Sequence, residues 1–450
     1  MSRFRTGVVF VVVALAGGLV PVVLTGGSEA AAAAPTCVLP PPSGGIISLT
    51  GDCDTTVPLI IPDGITINGN GHTITAHDPT GGFFTGAVLA NAGTTMNVEN
   101  LTIQGTGFAT NCAGILTGIF FDNAGGSVTG VTVTGITQHS GCQLGLGIRA
   151  NALNGVPQTV TIAKTTVTDY QKGGLVASGM MTMNVSGSTV GPPDSLDGTI
   201  AQNGVQYGGT GSREGAGGTI TASTISGSGF GSATDDGTAV LLFAAKNVTV
   251  SQDTITGAGT DVGISVATDT FVTPSVPSTG ITISHNQIGR TSADSPDSFG
   301  FGVSVDEGSM ATLICNTFTN WITDIVGAVQ AFCITTTALP PGTECHTYSA
   351  PALAAVSGTL PYHWSVASGT LPPGLSLSAT GVISGTPTAA GTFNFTAHVA
   401  DSASPPLTAT QAEMLVIAPD CATPPTPPST TTPPSAPVAP ISHTVVPVTG

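Results

Sequence analysis

The sequence predicts an all-β chain in two parts: a long solenoid of stacked parallel strands, then a small β-sandwich. Three observations carry this expectation. A six-residue element recurs eight times between residues 98 and 318. Gly 61 in 450 residues, with only 7% charged residues, implies many short strands joined by tight turns. Near residue 338 the repeat stops, and a different alternation of aromatic and aliphatic residues begins.

The repeat is the strongest signal. Its copies are Val98-Glu-Asn-Leu-Thr-Ile103, Val128-Thr-Gly-Val-Thr-Val133, Ile162-Ala-Lys-Thr-Thr-Val167 and Val185-Ser-Gly-Ser-Thr-Val190. They continue as Ile220-Thr-Ala-Ser-Thr-Ile225, Val250-Ser-Gln-Asp-Thr-Ile255, Ile283-Ser-His-Asn-Gln-Ile288 and Leu313-Ile-Cys-Asn-Thr-Phe318. Both end positions are apolar throughout, and the fifth is Thr in all but one copy. Between copies lies a second element, a Gly followed by an apolar residue: Gly118-Ile119, Gly147-Ile148, Gly174-Leu175, Gly204-Val205, Gly263-Ile264 and Gly302-Val303. Gly86-Ala87 and Ala239-Val240 are degenerate members. One such unit cannot bury its apolar ends alone. Stacked as coils about 4.8 Å apart, equivalent strands pair in parallel and like residues form columns. Ile103, Val133, Val167, Val190, Ile225, Ile255, Ile288 and Phe318 are then one interior column, and the fifth-position Thr residues an outward ladder. At the start of the solenoid, Asn68-Gly-Asn-Gly71 reads as a corner, because Gly and Asn supply left-handed backbone angles. His72 belongs to that corner rather than to a catalytic set.

Composition bounds the chemistry. The net charge is −17 with eight Lys+Arg. Apart from Arg3 and Arg5, the cations are Arg149, Lys164, Lys172, Arg213, Lys246 and Arg290, and they form no basic stripe. Nucleic acid and other polyanions are therefore excluded as partners unless a cation bridges them. Residues 1–34 have the layout of a secretory signal peptide: Arg3 and Arg5, an apolar run from Val8 to Leu24, then small residues at Ala30 to Ala34. No later segment is apolar for long enough to span a bilayer, so none is expected after cleavage. Eight cysteines agree with an oxidising compartment. Their local spacing suggests the pairs Cys37–Cys53, Cys112–Cys142, Cys315–Cys333 and Cys345–Cys421, and none has zinc-type spacing.

Repeats of this length without a helical pattern resemble a right-handed parallel β-helix of the pectin-lyase-like group. The stretch "LTGDCDTTVPLIIPDGITINGNGHTITA" resembles the first coil of many secreted members, and the resemblance spans about residues 46–335. It implies a domain over 35–337 and relatives that include polysaccharide lyases and glycosidases. A glycosidase needs two carboxylates across the scissile bond. Thr234-Asp235-Asp236-Gly237 resembles the paired aspartates of polygalacturonase-like hydrolases, but the chain has no Gly-His-Gly and no Arg-Ile-Lys. A pectate-lyase site needs an arginine base among acidic Ca²⁺ ligands, and Arg149 stands alone. Asp122, Asn151, Asp269 and Asp306 follow the Gly-apolar strands and could share a face through stacking. His139, Lys164 and Asp169 have no spacing that ties them into an acid/base set.

Beyond the solenoid, Leu371-Pro-Pro-Gly-Leu375, Gly381-Val-Ile-Ser-Gly-Thr-Pro387 and Gly391-Thr-Phe393 resemble the putative-Ig module of bacterial surface proteins, a cadherin-like sandwich, over 338–419. Trp364, Phe393, Phe395, Ala397 and Val399 read as its core. By that resemblance Asp401 and Asp420 are candidate ligands for Ca²⁺, the one cofactor implied, although the full acidic set is missing. Residues 420–450 are Pro/Thr-rich and favour an extended spacer. The end, Val446-Pro-Val-Thr-Gly450, resembles a sortase sorting signal of Leu-Pro-x-Thr-Gly type. The expectation is a secreted or surface-displayed, non-enzymatic protein whose β-helix binds neutral glycan or a protein partner. The alternative is a polysaccharide hydrolase or lyase using Asp235 and Asp236.

Overall fold

The computed structural model describes residues 36–109, 112, 114–138, 145–191, 201–208, 215–227, 237–257, 260–290 and 300–421. The expected signal segment, Cys142, His139, Arg213, Asp235, Asp236 and the tail from 422 lie outside them.

Three long parallel sheets form the solenoid. The first has eleven strands, from Ile46–Ser48 to Gln330–Ala331. The second has ten, from Cys53–Thr55 to Thr317–Thr319, and the third has ten, from Leu59–Ile61 to Thr323–Val326. Within each sheet, successive strands come from successive coils, so each coil contributes one strand to each sheet in turn. The predicted column is present in full register: Ile103 pairs with Val133, then Val167, Val190, Ile225, Ile255, Ile288 and Phe318 in order. From Ile103 to Ile288 its members are at most 1% exposed. The first position of the repeat makes a second buried column from Val98 through Val128 and Ile162 to Leu313. The fifth-position Thr residues run up the outside of the second sheet.

The six-residue element is not one strand. Its first two positions end a strand of the first sheet, its last two lie in the second sheet, and positions three and four form the corner between them. The third position has positive φ in every copy: Asn100, Gly130, Lys164, Gly187, Ala222, Gln252, His285 and Cys315 lie between 49° and 63°. A single left-handed residue turns the chain sharply at each level, which lets two residues join two sheets. The expected corner at the first coil has the same chemistry, with Asn70 at φ 50° and Gly71 at φ 83°.

The fourth position points inward and changes character along the stack. Leu101 and Val131 are apolar, whereas Thr165, Ser188, Ser223, Asp253, Asn286 and Asn316 are buried polar groups. From Ser188 onward each polar side chain accepts the backbone N–H of the coil below it: Thr165 N donates to Ser188 Oγ, Ser188 N to Ser223 Oγ, and Ser223 N to Asp253 Oδ1. Asp253 N then donates to Asn286 Oδ1, and Asn286 N to Asn316 Oδ1. The ladder satisfies backbone donors that the sharp corner removes from the sheets.

The Gly-apolar elements form the third sheet, and their glycines explain how it meets the second. A Cβ on Gly118 would lie 2.5 Å from Val133 Cγ1, and one on Gly302 2.5 Å from Phe318 Cδ1. Gly147 and Gly174 face Val167 and Val190 in the same way. Branched residues of one repeated element therefore pack into space left by glycines of the other.

The last solenoid strand ends at Ala331, and Cys333–Ile334 pairs antiparallel with Ala355–Val356. The C-terminal part packs a four-stranded sheet and a three-stranded sheet around Trp364, Ile383, Phe395, Ala397, Val399 and Leu415. Disulfides Cys37–Cys53, Cys315–Cys333 and Cys345–Cys421 match three expected pairs. Cys112 is also disulfide-bonded, and its expected partner Cys142 lies outside the described residues.

Candidate functional site

Connections at the three corners differ in length. Those from the first to the second sheet are mostly two residues, such as 100–101 and 130–131. Those from the second to the third sheet include 106–115, 135–144, 191–202, 227–237 and 290–300. In stacked-repeat proteins, insertions gathered on one edge commonly border the binding face. Here long connections also follow the third sheet, at 208–216 and 268–280, so insertions flank its outer face on both sides, which makes this face the candidate site.

The middle outward row of that face reads Ile60, Ala90, Phe120, Arg149, Val176, Gln206, Leu241, Ser265, Ser304 and Val326 by strand register. The row holds one cation and no carboxylate. The Arg149 guanidinium lies 5.0 Å from the centre of the Phe120 ring, a cation–π contact. Burial lowers its pKa, and the nearby Asp122 carboxylate opposes that shift. Farther up the same corner, the guanidinium of buried Arg290 lies 5.5 Å over the Trp321 ring.

The four outward candidates do share one corner, but in two separate pairs. Asp122 is in register with Asn151 at the ends of adjacent strands. Both anchor a local network: Asn123 Nδ2 donates to Asp122 Oδ1, and Asn123 N to Asn151 Oδ1. Asp269 and Asp306 follow Val262–Ala267 and Phe301–Val305. Five strand spacings separate Leu116–Asp122 from Val262–Ala267, or about 24 Å at about 4.8 Å each. Glycosidase carboxylates stand roughly 5–9.5 Å apart, so Asp122 and Asp269 do not form such a pair. Asp269 is buried and its Oδ1 accepts Phe271 N, while Asp306 Oδ2 accepts Thr268 N.

Other carboxylates are also committed to the backbone. Asp52 accepts Thr73 N, Asp63 accepts Thr95 N, and Asp78 accepts Phe84 N and Ala109 N. His72 Nδ1 is 3.3 Å from Asp52 Oδ1 at the first corner, as part of that turn. Lys164 and Asp169 are left-handed corner residues, at φ 49° and 51°. Asp401 is buried, with Thr359 N donating to Oδ2 and Ala403 N and Leu407 N donating to Oδ1. The Thr359 N–H, first among these, holds its pKa below the usual value. N–H groups aimed at both oxygens do not fit a Ca²⁺ ligand, which needs oxygens around the ion. Asp420 is exposed. Among the described residues no group of three or more His, Cys, Asp or Glu side chains could hold a metal ion.

Sequence reasoning missed Asp253, which stands inside the corner ladder. Burial raises its carboxyl pKa to about 7, against the lowering effect of the Ser223 and Ser251 N–H groups. Its place as fourth residue of the sixth repeat was visible, but the inward direction of that position was not.

Residues 146–332 match the family model described as "Right handed beta helix region", and residues 327–418 match "Putative Ig domain". The chain is a right-handed parallel β-helix protein with a C-terminal Ig-like module. Among solved structures it is similar to the Dettilon tailspike protein gp208, at 14% identity over 80% of this chain and 72% of that one, with a TM-score of 0.34. It is also similar to the A-module of the Azotobacter vinelandii mannuronan C-5 epimerase AlgE4, at 13% identity over 62% of this chain and 87% of that one, TM-score 0.34. A third likeness is to the protocadherin GammaB4 extracellular domain, at 18% identity over 21% of this chain and 18% of that one, TM-score 0.18. No curated protein matches. Disulfides together with an Ig-like module suggest an extracellular protein. Among the described residues no helix is long and apolar enough to cross a membrane.

Proposed function

We propose that this is a secreted, non-enzymatic binding protein whose β-helix presents an extended, largely uncharged surface to neutral glycan. The Ig-like module and the Pro/Thr-rich segment hold that surface away from its point of attachment. One observation carries the reading. In a chain of net charge −17, the third sheet's middle outward row has no carboxylate, and Asp269 and Asp306 beside it each accept a backbone N–H. A hydrolase needs convergent carboxylates; a binding face needs neutral donors, acceptors and apolar patches on a rigid support.

The test is incubation of the purified protein with a panel of neutral and uronate-containing polysaccharides. Reducing ends and unsaturated uronates are assayed beside pull-down on the insoluble members. Binding of a neutral glycan without either product is the expected result. Turnover that Asp235→Asn abolishes would make the protein a hydrolase or lyase instead.

A further inference from the structure

The outer face of the second sheet carries hydroxyl groups that repeat in two directions. We propose that this array is an ice-binding surface, which holds the ordered water of an ice crystal against the solenoid. The second sheet is not the face proposed for glycan, so the two readings stand or fall separately.

The array follows from the stacking. One outward row runs in register from Thr73 through Thr102 and Thr132 up to Thr317, and Gln287 alone interrupts it. Two residues along each strand lies a second outward row, with Thr75, Thr134, Thr168, Ser226, Thr256 and Thr319, and Gln or Gly at the remaining levels. Hydroxyls therefore repeat about every 4.8 Å up the stack and about every 6.6 Å along the strands. From Thr73 to Thr319 neither row holds a charged or aromatic residue. The residue between the rows is buried in the core, as Val133, Val167 and Ile225 are, so each strand is anchored beneath its hydroxyls. Thr is stiff at χ1, and strands on both sides fix its backbone. The array is thus set before anything binds, which lowers the entropy lost on binding.

Hydrogen bonding sets this face apart from that of the first sheet. There, outward hydroxyls are spent on neighbouring side chains: Ser127 Oγ donates to Asn97 Oδ1, and Thr219 Oγ1 to Asn184 Oδ1. On the second sheet Thr168 Oγ1 donates to Thr134 Oγ1, and Thr317 Oγ1 to Asn286 O. The hydroxyls of Thr132, Thr166, Thr189, Thr224 and Thr254 have no partner among the described residues. A free hydroxyl donates one hydrogen bond and accepts two, so it can take the place of a water molecule in a hydrogen-bonded lattice. The methyl group beside it is apolar, and without charge on the face no tightly held hydration shell competes with that lattice. A sugar chain or a peptide repeats in one direction and would occupy a single row. The oxygen layers of ice repeat in two directions, at spacings comparable to these. The lack of aromatic rings also removes the contact on which a sugar ring would stack.

The experiment is ice-affinity partitioning. The intact chain is mixed with a bystander protein that does not bind ice, ice is grown slowly, and the share of each protein in the ice is measured. Wild type is compared with Thr189→Lys/Thr224→Lys, both exposed in the middle of the array, and with Thr161→Lys, exposed on the outer face of the first sheet. Wild type and Thr161→Lys are expected to enter the ice in excess over the bystander, and the array variant to fall to the bystander's level with an unchanged urea midpoint. Should the lysine pair unfold the chain, Thr189→Tyr/Thr224→Tyr keeps strong strand formers, breaks the array by bulk, and is expected to show the same loss. Exclusion of wild type to the bystander's level, or undiminished entry by a folded array variant, would overturn the proposal. Adsorption of wild type to crystalline chitin or cellulose together with exclusion from ice would overturn it too, and would assign the face to a solid glycan.

Discussion

Asp253 shows how a single buried residue can tie stability to pH. It occupies a ladder position where the next two coils carry amides: Asn286 Nδ2 donates to Val250 O, and Asn316 Nδ2 to Ile283 O. An aspartate has no such donor unless protonated, and Asp253 Oδ2 is buried without a hydrogen-bond partner. Burial lifts its pKa from the ordinary aspartate value of 3.8 to about 7 in the folded protein. The folded state thus keeps its proton to higher pH than the unfolded chain does. The resulting stabilisation is complete below about pH 4 and is lost as pH rises through about 7. Asp253→Asn supplies the missing amide without a charge. Urea unfolding at pH 4.5 and 8.5 should show the variant gaining on wild type at the higher pH, by up to a few kcal/mol. An equal difference at both pH values would refute the buried-carboxyl account. None of this could be read from the sequence, where Asp253 stands in the same column as Leu101, Thr165 and Ser188. Periodicity identifies a repeated position, but not which way it faces across a corner.

Among the elements, the strands were legible and the corners were not. Apolar ends and outward Thr residues announce two columns because their types are nearly uniform. The left-handed third position is filled by Asn, Gly, Lys, Ala, Gln, His and Cys, so residue type hides a conformation imposed by the two sheets it joins. The Gly-apolar element was legible as a strand, but its reason lay in the facing sheet. Gly147 has no Cβ because Val167 and the Gly174 carbonyl fill that space. Gly147→Ala should cost about 1–3 kcal/mol through overpacking, measured by chemical unfolding, and Val167→Ala should relieve part of it. By contrast, Gly51 has nothing within 4 Å of an added Cβ, and Gly51→Ala should stay within about 0.5 kcal/mol of wild type. Comparable losses at both positions would mean that the glycine column is not set by the opposing side chains.

For the whole molecule, repetition made the architecture readable while leaving the ligand chemistry obscure. Eight imperfect copies establish a stack because one coil cannot bury its own apolar edge, and the register observed from Ile103 to Phe318 follows from that need. A binding surface on such a stack is assembled from residues some thirty apart in the chain. The acidic pair Asp235 and Asp236 looked chemical in sequence, whereas Asp269, Asp306 and Asp401, which looked equally chemical, accept backbone N–H groups. Every surface argued above depends on coils stacking in this register. The most direct test is Thr132→Cys with Thr166→Cys, an outward pair directly opposed in adjacent coils, with Thr132→Cys/Thr189→Cys, two coils apart, as control. Neighbouring parallel strands lie about 4.8 Å apart, inside the bridging range of about 4.4–6.8 Å for Cα atoms. After mild oxidation, peptide mass mapping should find the 132–166 crosslink in high yield and no 132–189 crosslink. Failure of the first pair to bridge, or equal bridging by the second, would contradict the stacked solenoid.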